Sequence, residues 1–153
     1  MAQTEADREA ILEALSDLLG GIVDPPLSVI QGPPWAINED RQCNYWYEGD
    51  EPDPTYPTTL NSRNVREKFR IQVFWLPPAA QQLMTDVAVR ECWQANRSIS
   101  QALNADSTLG GTVLEVAIGP TTAGVWAHAA GNQFYSLQVE LQLSCTDVDS
   151  VGR

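Results

Sequence analysis

The stretch that most limits what this chain can become is its last strand candidate. Tyr135, Leu137, Val139, Leu141, Leu143 and Cys145 alternate strictly with Ser136, Gln138, Glu140, Gln142 and Ser144. A period of two puts one set on each face of a strand. One face is therefore buried and the other wet, which is the habit of antiparallel sheets rather than of parallel sheets covered on both sides. The fold must contain a sheet with one dry face, and that face needs a cover.

Two amphipathic helices can supply it. In the first, Thr4 caps the start and Asp7 places a negative charge at the positive helix end. Ile11, Leu12, Leu15, Leu18, Leu19 and Ile22 follow at helical spacing, with Arg8, Glu9, Glu13, Ser16 and Asp17 opposite. Gly20-Gly21 is expected to end this helix by a left-handed cap. The second helix is expected over Ala79–Asn104, started by Pro77-Pro78. Met84, Ala88, Cys92, Ala95, Ile99 and Leu103 form its apolar stripe, widened by Leu83 and Val87. Asn96-Arg97-Ser98 is expected to bend or divide it, because Asn and Ser are weak helix formers. Asp106–Gly111 reads as a turn.

The remaining strands are less regular. Val65–Leu76 places Phe69, Ile71, Val73 and Trp75 on one face and Lys68, Arg70 and Gln72 on the other. Phe74 and Leu76 make its far end apolar on both faces, as for a strand running under cover. Thr112–Ile118 is a strand with Leu114, Val116 and Ile118 on one face. Gly119–Gln133 reads as a connection with room for a short strand at Val125–Ala127. Residues 24–64 hold seven of the ten prolines, and proline donates no backbone hydrogen bond. Short strands at Leu27–Ile30 and Gln42–Glu48 survive there, while Gly49–Asn64 reads as an extended loop with an acidic tip. The order is helix, strand, strand, helix, strand, strand. It predicts one α+β domain over residues 1–153: a two-layer sandwich, mostly antiparallel sheet, two helices on one face, a long proline-rich loop at 49–64 and a flexible tail at 147–153.

Charge narrows the partners. Twenty acidic residues face nine basic ones, a formal net charge of −11. Phosphate binding needs Lys and Arg to release counterions, so free duplex DNA and anionic membranes are poor partners. No run approaches the ~18–20 apolar residues of a membrane span. No basic segment followed by an apolar run opens the chain, so it is expected to be made and used in the cytoplasm.

Catalytic and metal signatures are weak. Cys43, Cys92 and Cys145 are widely spaced and form no zinc pattern. His128 is the single histidine, and a thiol enzyme using it with Cys43 or Cys145 is one competing reading. The carboxylates Glu48, Asp50, Glu51 and Asp53 lack the EF-hand spacing for calcium. No cofactor is expected. Five tryptophans are many for this length. Trp75 fits the core, Trp93 falls off the apolar stripe, and Trp35 and Trp46 lie among the prolines. Such aromatics suit subunit contacts, with packing under the loop as the alternative. A carbohydrate-binding module using Trp35, Trp46 and Trp126 is a second competing class.

Four segments together resemble the tail-terminator, or tail-completion, proteins of long-tailed bacteriophages. They are the opening helix AILEALSDLLGGI, the strand VREKFRIQVFWL, the helix-turn-strand NRSISQALNADSTLGGTVLEV and the final strand FYSLQVELQLSC. The resemblance spans roughly residues 8–145 and does not require the insert at 49–64. It implies a small α+β virion subunit, assembled in the host cytoplasm, that joins other copies of itself in a six-membered ring on the tail tube. Such a ring stops growth of the tail-tube protein and offers its other side to a head-closure or neck protein. DNA passes through without specific binding, and no reaction is catalysed. On that reading the segment Glu48–Arg63 (Glu48, Asp50, Glu51, Asp53, Arg63) and the turn Asn104–Gly111 (Asn104, Asp106, Leu109) contact neighbours or face the hole. The four carboxylates are expected to line the hole and repel DNA. Another connector or tail-tube subunit of the same particle is the nearest alternative.

Overall fold

The computed structural model describes residues 5–23, 26–35, 41–52, 63–75, 86–113, 115–127 and 133–147. The chain runs α1 (Glu5–Gly20), β1 (Ser28–Gln31), β2 (Arg41–Pro52), β3 (Arg63–Trp75), α2 (Asp86–Ala105), β4 (Glu115–Ala127) and β5 (Gln133–Asp147). Five strands form one sheet in the order β1-β2-β3-β5-β4. β1 is parallel to β2, and every other pairing is antiparallel. This is the expected α+β class, with both helices on one side of a mostly antiparallel sheet.

Strand β3 sits at the centre and shows why the layers form. Val65, Phe69, Ile71, Val73 and Trp75 are buried on one side. Ile11, Leu15 and Leu19 of α1 and Cys92, Ala95, Ile99 and Leu103 of α2 close over them in a single core. Cys43 and Tyr45 of β2 and Leu141 of β5 complete it. α2 is unbroken through Asn96-Arg97-Ser98. The expected bend is absent because Ala95, Ile99 and Leu103 need one continuous stripe, and that packing outweighs the weak propensity of three residues. The expected start at Ala79 and the stripe residue Met84 lie outside the described residues.

The extents of several elements differ from expectation. β2 continues through Pro52 and β3 begins at Arg63, so both ends of the expected 49–64 loop are strand, and residues 53–62 of it lie outside the described residues. A bulge makes this extension possible. Tyr47 opposes Phe69, yet Gly49 opposes Lys68, leaving Glu48 as the extra residue. Gly49 holds φ at 136°, a value that favours glycine. β4 is likewise one strand over Glu115–Ala127, not a short strand and a connection. Its register shifts between Ile118 and Thr121, where Gly119-Pro120 sits. β4 is an edge strand, so a proline there loses no bond to a further strand. α1 does end at Gly20, but no left-handed cap is used. Gly21 N–H reaches the Asp17 carbonyl at 3.0 Å and Ile22 N–H reaches that of Leu19 at 3.2 Å, tightening the last turn.

Candidate assembly surfaces

The bulge at Gly49 sorts the acidic residues of β2 onto two sides. Asp50 is registered with Glu67 on the helix side, and Glu51 with Arg66 on the open side. On the open side, Arg70 makes a two-pronged contact with Glu48: Nε to Oε1 at 3.2 Å and Nη2 to Oε2 at 2.9 Å. This pair raises the Arg70 pKa above its ordinary value, the hydrogen bond that Arg70 donates to Glu48 being the main cause. Glu51 forms ion pairs with Lys68 at 3.3 Å and with Arg66 at 3.9 Å. Glu48, Asp50 and Glu51 thus stand among guanidinium and ammonium groups and not on a bare acidic tip. Asp53 lies outside the described residues, as does the side chain of Arg63.

Below these pairs the open face carries a row of amides. Thr122 donates to Gln138 at 3.4 Å, and Gln138 donates to Gln72 at 3.4 Å. Gln72 is registered opposite Asn44. Asn44 donates to the Gly32 carbonyl at 3.0 Å and accepts from Gln42 at 2.8 Å. The row crosses the sheet from β4 to the end of β1. Gln42 and Asn44 are buried, and so is Phe74 beyond them, as expected for a strand end under cover.

On the helix side Arg8 of α1 reaches the far end of β2 and β3. Its guanidinium lies 3.6 Å from Asp50, 3.7 Å from Glu67 and 4.9 Å from the centre of the Tyr47 ring. Tyr47 packs on Phe69 with ring centres 5.4 Å apart. Glu67 is fully buried. Burial, together with the nearby Glu67 carboxylate, holds the Tyr47 phenol well above its usual pKa. Arg41 does the same work at the opposite end of β2: it lies 4.5 Å over the Trp75 ring and 3.3 Å from Glu91 of α2. Each helix is therefore pinned to β2 by one arginine. Glu67 was legible by parity alone, two residues before Phe69 on the dry face, but an isolated glutamate in a basic strand reads as surface.

The turn after α2 is closely held. Asp106 Oδ1 accepts from Gly110 N–H at 3.0 Å, and the Leu109 carbonyl accepts from the Thr112 hydroxyl at 2.8 Å. Val116 N–H reaches the Ser107 carbonyl at 2.9 Å, joining the turn to β4. Leu109 has φ of 46°, unusual for a residue with a side chain. Its side chain is buried in the core, and that burial holds the strained backbone in place. Leu109 anchors the turn from inside, leaving Asn104 and Asp106 as its exposed expected contact residues.

Trp35 is 90% exposed and Trp93 62% exposed, whereas Trp75 is buried. Trp46 is half-buried, and the side chain of Trp126 lies outside the described residues. Cys43 and Cys92 are buried, and burial pushes each thiol up to about 12. That is the reverse of an activated thiolate. His128 and the side chain of Cys145 lie outside the described residues. Among the described residues no cluster of metal-ligating side chains occurs, and no helix is long and apolar enough to cross a membrane.

The sequence matches no protein-family profile, and no curated protein is similar to it in sequence. In three dimensions the chain is similar to the PVC sheath/tube terminator of an extracellular contractile injection system, solved in its extended state. The TM-score is 0.51 at 11% identity, and the likeness covers 100% of this chain. It covers 62% of the terminator, so this chain spans less than two thirds of that protein's length. The likeness shows a terminator-like fold.

Proposed function

We propose that this protein is a tail terminator: a virion subunit that forms a ring, with six copies, on the end of a phage tail tube. The ring ends polymerisation of the tube protein and presents its other side to a head-closure or neck protein. The observation that carries this reading is the terminator-like fold over the whole chain. The four sequence segments that resemble phage terminators point the same way, and they do not depend on that comparison. In the ring, the β2–β3 end with Glu48, Asp50, Glu51, Asp53 and Arg63 and the turn with Asn104 and Asp106 meet neighbours or face the hole. DNA passes without specific binding, as the net charge of −11 favours. Assembly takes place in the host cytoplasm, before the tail is joined to the head.

The test is electron microscopy of growing tail tubes with and without the protein. A cap on one tube end and an arrest of tube lengthening are expected, with a native mass of six chains for the cap. Tubes that lengthen equally in its presence, or a protein that polymerises into tubes itself, overturn the reading.

A further inference from the structure

Helix α2 carries a patch that packing does not explain. Arg90, Trp93, Gln94 and Arg97 surround a shallow recess of about 300 Å³ on its solvent side. The chain has only nine basic residues. Arg8, Arg41, Arg66, Lys68 and Arg70 all stand in ion pairs. Among the described residues Arg90 and Arg97 have no such pair, and both flank an indole that is 62% exposed. An exposed tryptophan between two free guanidiniums is the composition of an interface anchor.

A complementary surface exists on the same chain. Glu9, Leu12, Glu13, Ser16, Gln31 and Tyr45 line a recess of about 310 Å³ between α1 and the β1–β2 edge. Leu12 and the Tyr45 ring offer it apolar contact, and it carries two carboxylates, Glu9 and Glu13, that have no ion pair among the described residues. The volume lies at the low end of the ~300–1,000 Å³ that receives small ligands, a size suited to one aromatic side chain.

The two surfaces cannot meet within one molecule. Ala14 and Leu18 of α1 and Ala102 of α2 line the cleft between the helices, so those residues mark the inward flanks. At roughly 100° per residue, Trp93 stands about half a turn from Ala102, and Leu12 stands nearly as far from Ala14. The arginine-tryptophan patch and the acidic recess thus occupy opposite outer flanks of the helical layer. Different patches on opposite flanks make a head-to-tail contact, which closes into a ring when the rotation per copy allows.

We infer that Trp93 of one copy enters the α1–β1 recess of the next, with Arg90 and Arg97 meeting Glu9 and Glu13. The indole supplies the buried area, and the ion pairs set orientation and rate of encounter. The contact rests on the ring reading for its biological setting, yet it is a property of this chain's own surface. It lies apart from the β2–β3 end and the α2–β4 turn, which it leaves open to other partners.

Association of the full chain, followed by native mass spectrometry and sedimentation, tests this. Trp93→Ala and the pair Arg90→Glu/Arg97→Glu are each expected to weaken self-association roughly 30-fold or more. Glu9→Arg/Glu13→Arg is expected to do the same, and mixing the two charge-reversed proteins is expected to restore association. A short bis-maleimide should join a Gln94→Cys copy to a Ser16→Cys copy, with Trp93 intact in both. Unaltered rings in the variants, or rings that do not cross-link at these positions, overturn the contact and leave the ring reading standing. Cross-linked open filaments in place of rings keep the contact and overturn the terminator reading. A chain that neither associates nor cross-links at any concentration overturns both.

Discussion

The two faces of the sheet are built by the same strands under different rules. On the helix side of β3, Val65, Phe69, Ile71, Val73 and Trp75 are buried, and each owes its place to removal from water. On the open side, Arg66, Lys68 and Arg70 are held by Glu48 and Glu51, and Gln72 by Gln138. The dry face tolerates little change because close packing offers no alternative arrangement. At its Arg66–Arg70 end the open face keeps its side chains partly in water, where pairing is worth little and the surface is free for contact. Gln42, Asn44 and Phe74 at its other end are buried. This sheet separates the two kinds of surface by one residue of register.

Neighbouring positions on β3 put this contrast to the test. Phe69→Ala removes a fully buried ring that packs on Tyr47, and is expected to cost about 3–5 kcal/mol. Lys68→Ala, one residue away on the open face, is expected to stay within about 1 kcal/mol of the natural protein. Urea unfolding of the two variants measures both. Equal losses would show that the open face contributes as much to folding stability as the covered one.

Glu67 is the exception that sharpens the comparison, a buried carboxylate on the dry face. Arg8→Ala removes its guanidinium neighbour and leaves the charge under α1. A loss of about 3 kcal/mol is expected. The double variant Arg8→Met/Glu67→Leu should recover most of it, because a well-packed apolar pair avoids the desolvation cost. A double variant as unstable as Arg8→Ala would mean that the arginine acts through its stem packing and not through charge.

These contrasts also explain how much was legible in the sequence. The strict alternation of β5 and the apolar stripe ending in Cys92, Ala95, Ile99 and Leu103 give the two layers, because burial repeats with the period of the element. The length of β2 and the continuity of β4 were hidden by the residues that make bulges. Gly49 and Gly119-Pro120 look like loop signals, yet each shifts the register and lets the strand continue. That shift also decides which carboxylate faces which side, so the pairing of Glu51 with Lys68 and of Asp50 with Arg8 could not be read from spacing. For the outer surface, Trp93 was visible as a residue off the stripe. Its free neighbours Arg90 and Arg97 needed the ion pairs of the other cations to be known.

The dry face also titrates, at alkaline pH. Cys43 and Cys92 are buried, with thiols pushed up to about 12 from an ordinary 9.0. Their folded pKa lies above the unfolded one, so the unfolded chain loses the proton first. Stability from these groups is fully present below about pH 9 and is lost as pH rises toward 12. The slope approaches about 1.4 kcal/mol per pH unit for each thiol. Urea midpoints from about pH 8 to 11, a range that spans the ordinary thiol pKa, should fall less steeply in Cys43→Ala/Cys92→Ala than in the natural protein, whatever the variant's starting stability. Parallel slopes would place the alkaline sensitivity elsewhere.

The smallest effect belongs to the best-formed contact of the open face. Arg70 grips Glu48 with two bonds, at 3.2 and 2.9 Å, but both side chains are partly in water. Glu48 is also the residue that the bulge adds to β2, so its carboxylate is placed by Gly49 and not by the ladder. A double-mutant cycle with Glu48→Ala and Arg70→Ala is expected to give a coupling below about 1 kcal/mol, reduced further in about 1 M salt, where screening acts within about 3 Å. A coupling several times larger, and indifferent to salt, would mean that the pair is shielded from water. Among the described residues no second layer covers the Glu48–Arg70 end of this face, and another molecule seated on it is one source of such shielding. Repeating the cycle in dilute and concentrated protein separates the two cases. A large coupling that grows with concentration marks the open face as a contact surface, and a large one that does not vary means that the chain itself covers Glu48 and Arg70.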